Sequence, residues 1–214
     1  MDKKDAINTL SEIKDLMSRS SRFQTISGWS IVIIGLYASI VSLGAWLLLG
    51  SHEPYAWLPQ WAQQFSLNTP AHTLVAIGVA AVLVVVSFLT VCIGSYIRTV
   101  RVGHTFAFDQ TVRRCLINFF VPAVAGALFC VAMLVQGHYG LTSSIMLIFY
   151  GLALINCHHY TSSSIAALGY GQLLLGLVDC YVVHHAILFW FLGFGLLHIV
   201  YGLCYTLKLK TKSE

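Results

Sequence analysis

Apolar residues run along this chain in long blocks, broken by short polar segments. A membrane-spanning helix needs about 20 consecutive apolar residues. Six stretches meet that requirement, near 26–49, 73–97, 116–136, 141–157, 162–183 and 186–207. The fourth is short, and the fifth is interrupted by Gly169, Gly171 and Gln172. Short polar breaks at Gly137–Gly140 and His158–Ser162 suit helical hairpins, because lipid leaves no place for unpaired backbone. The expected fold is all-α: a polytopic integral membrane bundle of six transmembrane helices over 23–207, with a tail at 208–214.

The first 22 residues follow a different rhythm. Ala6, Leu10, Ile13 and Met17 fall on one helical stripe, with Ile7 and Leu16 at its edges. The opposite face carries Lys3, Lys4, Lys14, Arg19 and Arg22 against Asp2, Asp5, Glu12 and Asp15. This predicts an amphipathic helix over 1–22. Such balanced charge fits a protein surface better than an anionic lipid surface, which favours a lopsided excess of cations. The stripe is therefore expected to face the bundle or a cytoplasmic protein partner. Between the first two spans, Trp57, Trp61 and Phe65 recur at every fourth position among Pro54, Pro59 and Pro70. They read as an aromatic belt in the outer headgroup region.

Composition and charge then fix the environment and the orientation. The chain has 214 residues, 57% of them hydrophobic and 9% charged, with a mean hydropathy of +0.78. Soluble domains carry about 25% charged residues. The net charge of +4 does not call for nucleic acid, because the cations fall in three short segments. These are Lys3–Arg22, Arg98–Arg114 and Lys208–Lys212, with no Lys or Arg at 23–97 or 115–207. Six crossings put all three segments on one side. The positive-inside rule makes that side the cytoplasm, with both termini there. The expected location is the cytoplasmic (inner) membrane of a bacterium.

Candidate chemistry is sparse. The six cysteines show no C-x-x-C spacing, and read as small apolar residues rather than as a disulfide or zinc framework. His198 falls near mid-membrane, where a polar ring needs a partner, and Gln172 falls at a comparable depth. A Gln172–His198 hydrogen bond is expected, as structural glue or as part of a proton relay. His72, His138, His184 and His185 are expected at the outer end, near Asp179, and could converge on a metal ion. His184 and His198, 14 residues apart, share a helix face about 21 Å apart in height, a separation that would suit haem ligands. No second helix offers a matching pair, so no cofactor is predicted. Arg98, Arg101, Arg113 and Arg114 are candidates for lipid-headgroup contact beside their topological role. Small residues at four-residue spacing, such as Gly35 with Ser39 and Ala38 with Ser42, permit close helix contact. An internal repeat is weak: Ser27/Ser143, Gly35/Gly151 and Leu36/Leu152 are three identities in fourteen.

Several local motifs combine into a resemblance. Arg19-Ser20-Ser21-Arg22-Phe23 leads into the first span, and Tyr150-Gly151-Leu152-Ala153-Leu154-Ile155-Asn156 lies in the fourth. The last contains Phe189-Trp190 and Gly193-Phe194-Gly195-Leu196-Leu197-His198-Ile199-Val200-Tyr201-Gly202. Together they resemble an uncharacterised group of bacterial six-transmembrane-helix proteins, along the whole chain and most in its C-terminal third. The group carries no established activity. The resemblance implies an occasional gene neighbourhood with small winged-helix regulators, which fits a partner-facing first helix. Where the group has charged residues in the loop after the fourth span, this chain has Cys157-His158-His159 and Ser162-Ser163-Ser164. Three functions are compatible with these features. The preferred one is a non-enzymatic membrane sensor or partner of a cytoplasmic protein. A small oligomeric transporter or channel is the alternative, and a metal- or haem-dependent membrane enzyme the third.

Overall fold

Backbone amides inside lipid have no water to bond, so an apolar chain satisfies them within itself as helix. The computed structural model describes residues 28–49, 70–101, 110–136, 138, 141–161, 164–182 and 185–211. The amphipathic segment 1–22 and the aromatic series at 57, 61 and 65 lie outside them. Among the described residues the protein is all helix. The elements are α1 (Gly28–Leu49), α2 (Pro70–Arg101), α3 (Gln110–Val135), α4 (Thr142–Cys157), α5 (Ile165–Asp179) and α6 (186–211). The last of these is α-helical over Ala186–Trp190, π-helical over Phe191–Leu197 and α-helical again over His198–Thr211. Four helices are long and apolar enough to cross a membrane: α1, α2, α3 and α6. The chain is thereby marked as a membrane protein. The other two are shorter apolar helices of 16 and 15 residues, or about 24 and 22 Å at 1.5 Å per residue.

Helix α4 forms the interior of the bundle, while α5 packs one face on it and leaves Tyr170, Leu174 and Leu177 exposed. Leu147 and Ala153 of α4 and Gln172 and Asp179 of α5 are fully buried, while α2 exposes Val82, Val85, Leu89 and Ile93 along its length. Helices α4 and α5 pack more extensively against each other than any other pair. Glycine is the reason that they can. A Cβ on Gly151 would stand 2.7 Å from the Gly169 carbonyl oxygen, and one on Gly169 would stand 2.9 Å from that of Gly151. The same reciprocal fit joins α1 to α6: Gly28 faces the Gly202 carbonyl, and Gly35 faces that of Gly195. Ser39 completes this second seam against Gly195. Without a hydrophobic driving force between helices in lipid, such close backbone approach is what holds them together. The contacts Gly28–Gly202 and Gly35–Gly195 also run the two helices antiparallel.

One expectation from the sequence is overturned. Cys115 and Cys157 are joined as a disulfide, with their Cα atoms 5.2 Å apart. No spacing motif announced the pair because its members are 42 residues apart. They meet because α3 begins at the level where antiparallel α4 ends. The remaining described cysteines, Cys92, Cys130, Cys180 and Cys204, are free. Helix boundaries also shift. α3 starts at Gln110, so Arg113 and Arg114 ride on its first turns, and it continues through Pro122. α5 stops at Asp179, short of the expected 183.

The glycine seams are directly testable. Gly151→Ala would press a methyl group onto backbone that cannot swing aside, and should cost about 1–3 kcal/mol. Gly78→Ala, where nothing lies within 4 Å, should be neutral or slightly stabilising. Thermal unfolding of the two variants in detergent checks this ordering. Equal melting temperatures would contradict the packing described.

Candidate functional site

Three helices deliver polar side chains to one buried point. Tyr150 comes from the middle of α4, Gln172 from α5, and His198 opens the last α-helical stretch of α6. Gln172 is 0% and His198 2% exposed. Gln172 Nε2 and His198 Nδ1 are 3.3 Å apart, so the two residues matched by depth are brought together. Each makes a shorter bond elsewhere. Gln172 Nε2 donates to the Gly193 carbonyl at 2.8 Å, and His198 Nδ1 lies 3.0 Å from the same oxygen. The Tyr150 hydroxyl lies 2.9 Å from His198 Nε2.

These distances assign the imidazole proton. A carbonyl oxygen can only accept, so the 3.0 Å contact places the hydrogen on Nδ1. Nε2 then accepts from the Tyr150 hydroxyl, and the longer Gln172–His198 contact is packing rather than a second hydrogen bond. Both ring nitrogens are thus engaged within the protein. The ring itself lies against aromatic faces. Tyr150 stacks on it with centroids 5.6 Å apart, and Phe194 does so at 6.1 Å. Phe119 and Trp190 extend the cluster through Tyr150 and Phe194 respectively.

Gly193 is the residue that reading by depth did not single out. Its carbonyl takes two side-chain donors, and its missing side chain makes the room for them. A Cβ there would stand 2.7 Å from Gln172 Oε1 and 2.3 Å from Leu147 Cδ2. The residue lies in the π-helical stretch, where the wider turn alters the ordinary helical hydrogen-bond ladder. The only sequence cue was a glycine-rich run ahead of a mid-membrane histidine.

A second buried polar group stands nearer one end of the bundle. Asp179 was expected among outward-facing residues, yet its side chain is 0% exposed. Ser143 Oγ donates to its Oδ2 at 2.5 Å, while Oδ1 has no hydrogen-bond partner among the described residues. The early end of α5 explains this, because Asp179 closes the helix on its inner face instead of beginning a loop. Asp179 is therefore an acidic residue enclosed at one end of the bundle. Leu147 separates the two levels: it packs on Gly176, between Gln172 and Asp179, and on Gly193.

The other candidates stay apart. His138 and His185 are exposed, and the side chains of His72 and His184 lie outside the described residues. No group of three or more His, Cys, Asp or Glu side chains is assembled for a metal among the described residues. His198, with both nitrogens bonded, is not a free axial ligand for haem. Arg113 and Arg114 are exposed near the disulfide, Arg98 is half-buried, and the Arg101 side chain is not among those described. Comparison with protein-family models, with curated proteins and with solved structures finds no match.

Substitutions separate the junction's parts. Tyr150→Phe removes the donor to Nε2 and leaves a buried acceptor unpaired, at a cost of about 1–2 kcal/mol. Gln172→Leu loses one bond to Gly193 but also removes the unpartnered Oε1, so its net effect should be smaller. Unfolding measurements on both variants test the order. A larger loss for Gln172→Leu would contradict the proton assignment.

Proposed function

We propose that the chain is a six-crossing protein of the bacterial inner membrane, with both termini cytoplasmic, that senses a membrane-side change and passes it to a cytoplasmic protein. The observation that carries this reading is the Gly193 carbonyl, held by side chains from two helices within a π-helical stretch. A π turn holds an extra residue, so converting it to α-helix re-registers everything that follows. Here that is the stretch from His198 through Lys208 to Thr211, which leaves the bundle at the cationic end. Such a conversion would supply the two discrete arrangements that signalling requires. The packed junction, with Leu147 filling the level beside it, suits a switch better than a conduit.

The partner-facing stripe is Ala6, Leu10, Ile13 and Met17, on a segment whose mixed charges suit protein contact. Crossing six times requires α4 and α5 to span with about 24 and 22 Å of helix, against about 30 Å of hydrocarbon. The cover that α3 and α5 give α4 supports this for the fourth crossing. The second reading, a small oligomeric transporter or channel, is favoured by one feature: the long apolar face of α2 that the described residues leave uncovered.

Affinity capture from membranes tests the first reading. The full chain should retain a cytoplasmic protein that is lost on deletion of residues 1–22. Gly193→Ala, which crowds the π turn, should change the amount retained several-fold. Capture that survives the deletion, or is indifferent to Gly193, would contradict it.

A further inference from the structure

Asp179 is the only acidic residue between Asp109 and Glu214, and no Lys or Arg occurs from 115 to 207. It is nevertheless completely buried. A carboxylate withdrawn from water costs several kcal/mol unless a positive charge or full hydrogen bonding replaces the water. Among the described residues hydrogen bonding is half complete, with Ser143 on Oδ2 and nothing on Oδ1. Helix dipoles do not supply the missing charge. The amino end of α4, at Ser143, favours an anion, but Asp179 is also the last residue of α5, whose carboxyl end opposes one. Each end is worth about half an elementary charge, so the two cancel to first order. Ser144, beside Ser143, is likewise fully buried with its hydroxyl unpartnered.

We propose that Asp179 and Ser143 form an exchange site for a monovalent cation, a proton or Na⁺, at the end of the bundle opposite Arg113 and Arg114. Carboxylate and hydroxyl oxygens are the hard donors such cations take. The site lies close to the end of the bundle, because Tyr181 and Val182, two and three residues beyond Asp179, are exposed. On its inner side Leu147 packs between it and His198. Other titratable groups at this end, among the described residues, are Cys130 of α3, buried, Cys180 after α5, half-buried, and the exposed Tyr181, His138 and His185. Helix α4 presents Ser143 and Ser144 there, with no ionisable side chain. Intramembrane carboxyls of this kind mark ion or proton sites. This site stands apart from the partner reading, because it requires neither residues 1–22 nor the π turn.

The full-length protein in detergent, treated with dicyclohexylcarbodiimide, tests the site. The protonated carboxyl adds its O–H across a C=N bond of that reagent, and the O-acylisourea formed rearranges by O-to-N acyl transfer to a stable N-acylurea, which peptide mass spectrometry locates. The expected result is modification of Asp179 that falls severalfold as pH rises. Protection by NaCl but not KCl identifies Na⁺ as the ligand, and indifference to both salts identifies the proton alone. In parallel, the melting temperature of the wild type should depend on pH or Na⁺, and that dependence should vanish in Asp179→Asn. An unmodified Asp179 together with a melting temperature unaffected by either ion would overturn the proposal. So would an Asp179→Asn variant that keeps the wild-type dependence. Loss of partner capture alone would not bear on it.

Discussion

His198 Nδ1 and Gln172 Nε2 share one carbonyl oxygen, that of Gly193, while Tyr150 closes the imidazole from the other side. In lipid no water can stand in for a missing partner, so each of these groups needs the others. The consequences spread outward from that point. Gly193 must lack a side chain, Leu147 can fill the space above it, and α4 and α5 must approach closely enough for Tyr150 and Gln172 to reach. The glycine contacts between α4 and α5, and between α1 and α6, provide that closeness. Interhelical hydrogen bonds in membranes are individually modest, about 0.6 kcal/mol on average. The junction therefore selects a geometry more than it supplies stability, and the close-packed seams hold the helices.

The two ends of the bundle differ in character. At one end Cys115 and Cys157 tie α3 to α4 beside exposed arginines. At the other, Asp179 is buried with half its hydrogen bonds unmade. In the orientation proposed, the cysteine pair faces a reducing compartment, where such bonds are transient. The helices stay together there without it. Gly126 lies flush against Phe149, and Phe119 meets Tyr150 edge-on further along the same interface.

How much of this was legible in the residues follows from how local each signal is. Apolar runs revealed the helices to within a few residues, because chain in lipid has few alternatives to helix. Counting residues along two spans was enough to set Gln172 and His198 at one depth. The same counting could not find Gly193, since the π turn displaces the regular periodicity just ahead of His198. Tyr150 was visible as part of a motif but not as a partner, since its hydroxyl reaches His198 only through the packing of α4 on α6. Asp179 was placed outside because a long apolar run hid the end of α5, and a carboxylate is ordinarily left to water. The cysteine pair needed the antiparallel pairing of α3 and α4, which no spacing within one helix can disclose.

His198 is held at both ring nitrogens, Nδ1 on the Gly193 carbonyl and Nε2 on the Tyr150 hydroxyl. Nitrogen-15 NMR of ring-labelled histidine in bilayers reads this arrangement. One His198 signal set is expected, with hydrogen on Nδ1, coupled to the Gly193 carbonyl carbon, and Nε2 bare beside the Tyr150 hydroxyl. Two tautomers in rapid exchange, or hydrogen on Nε2, would contradict it.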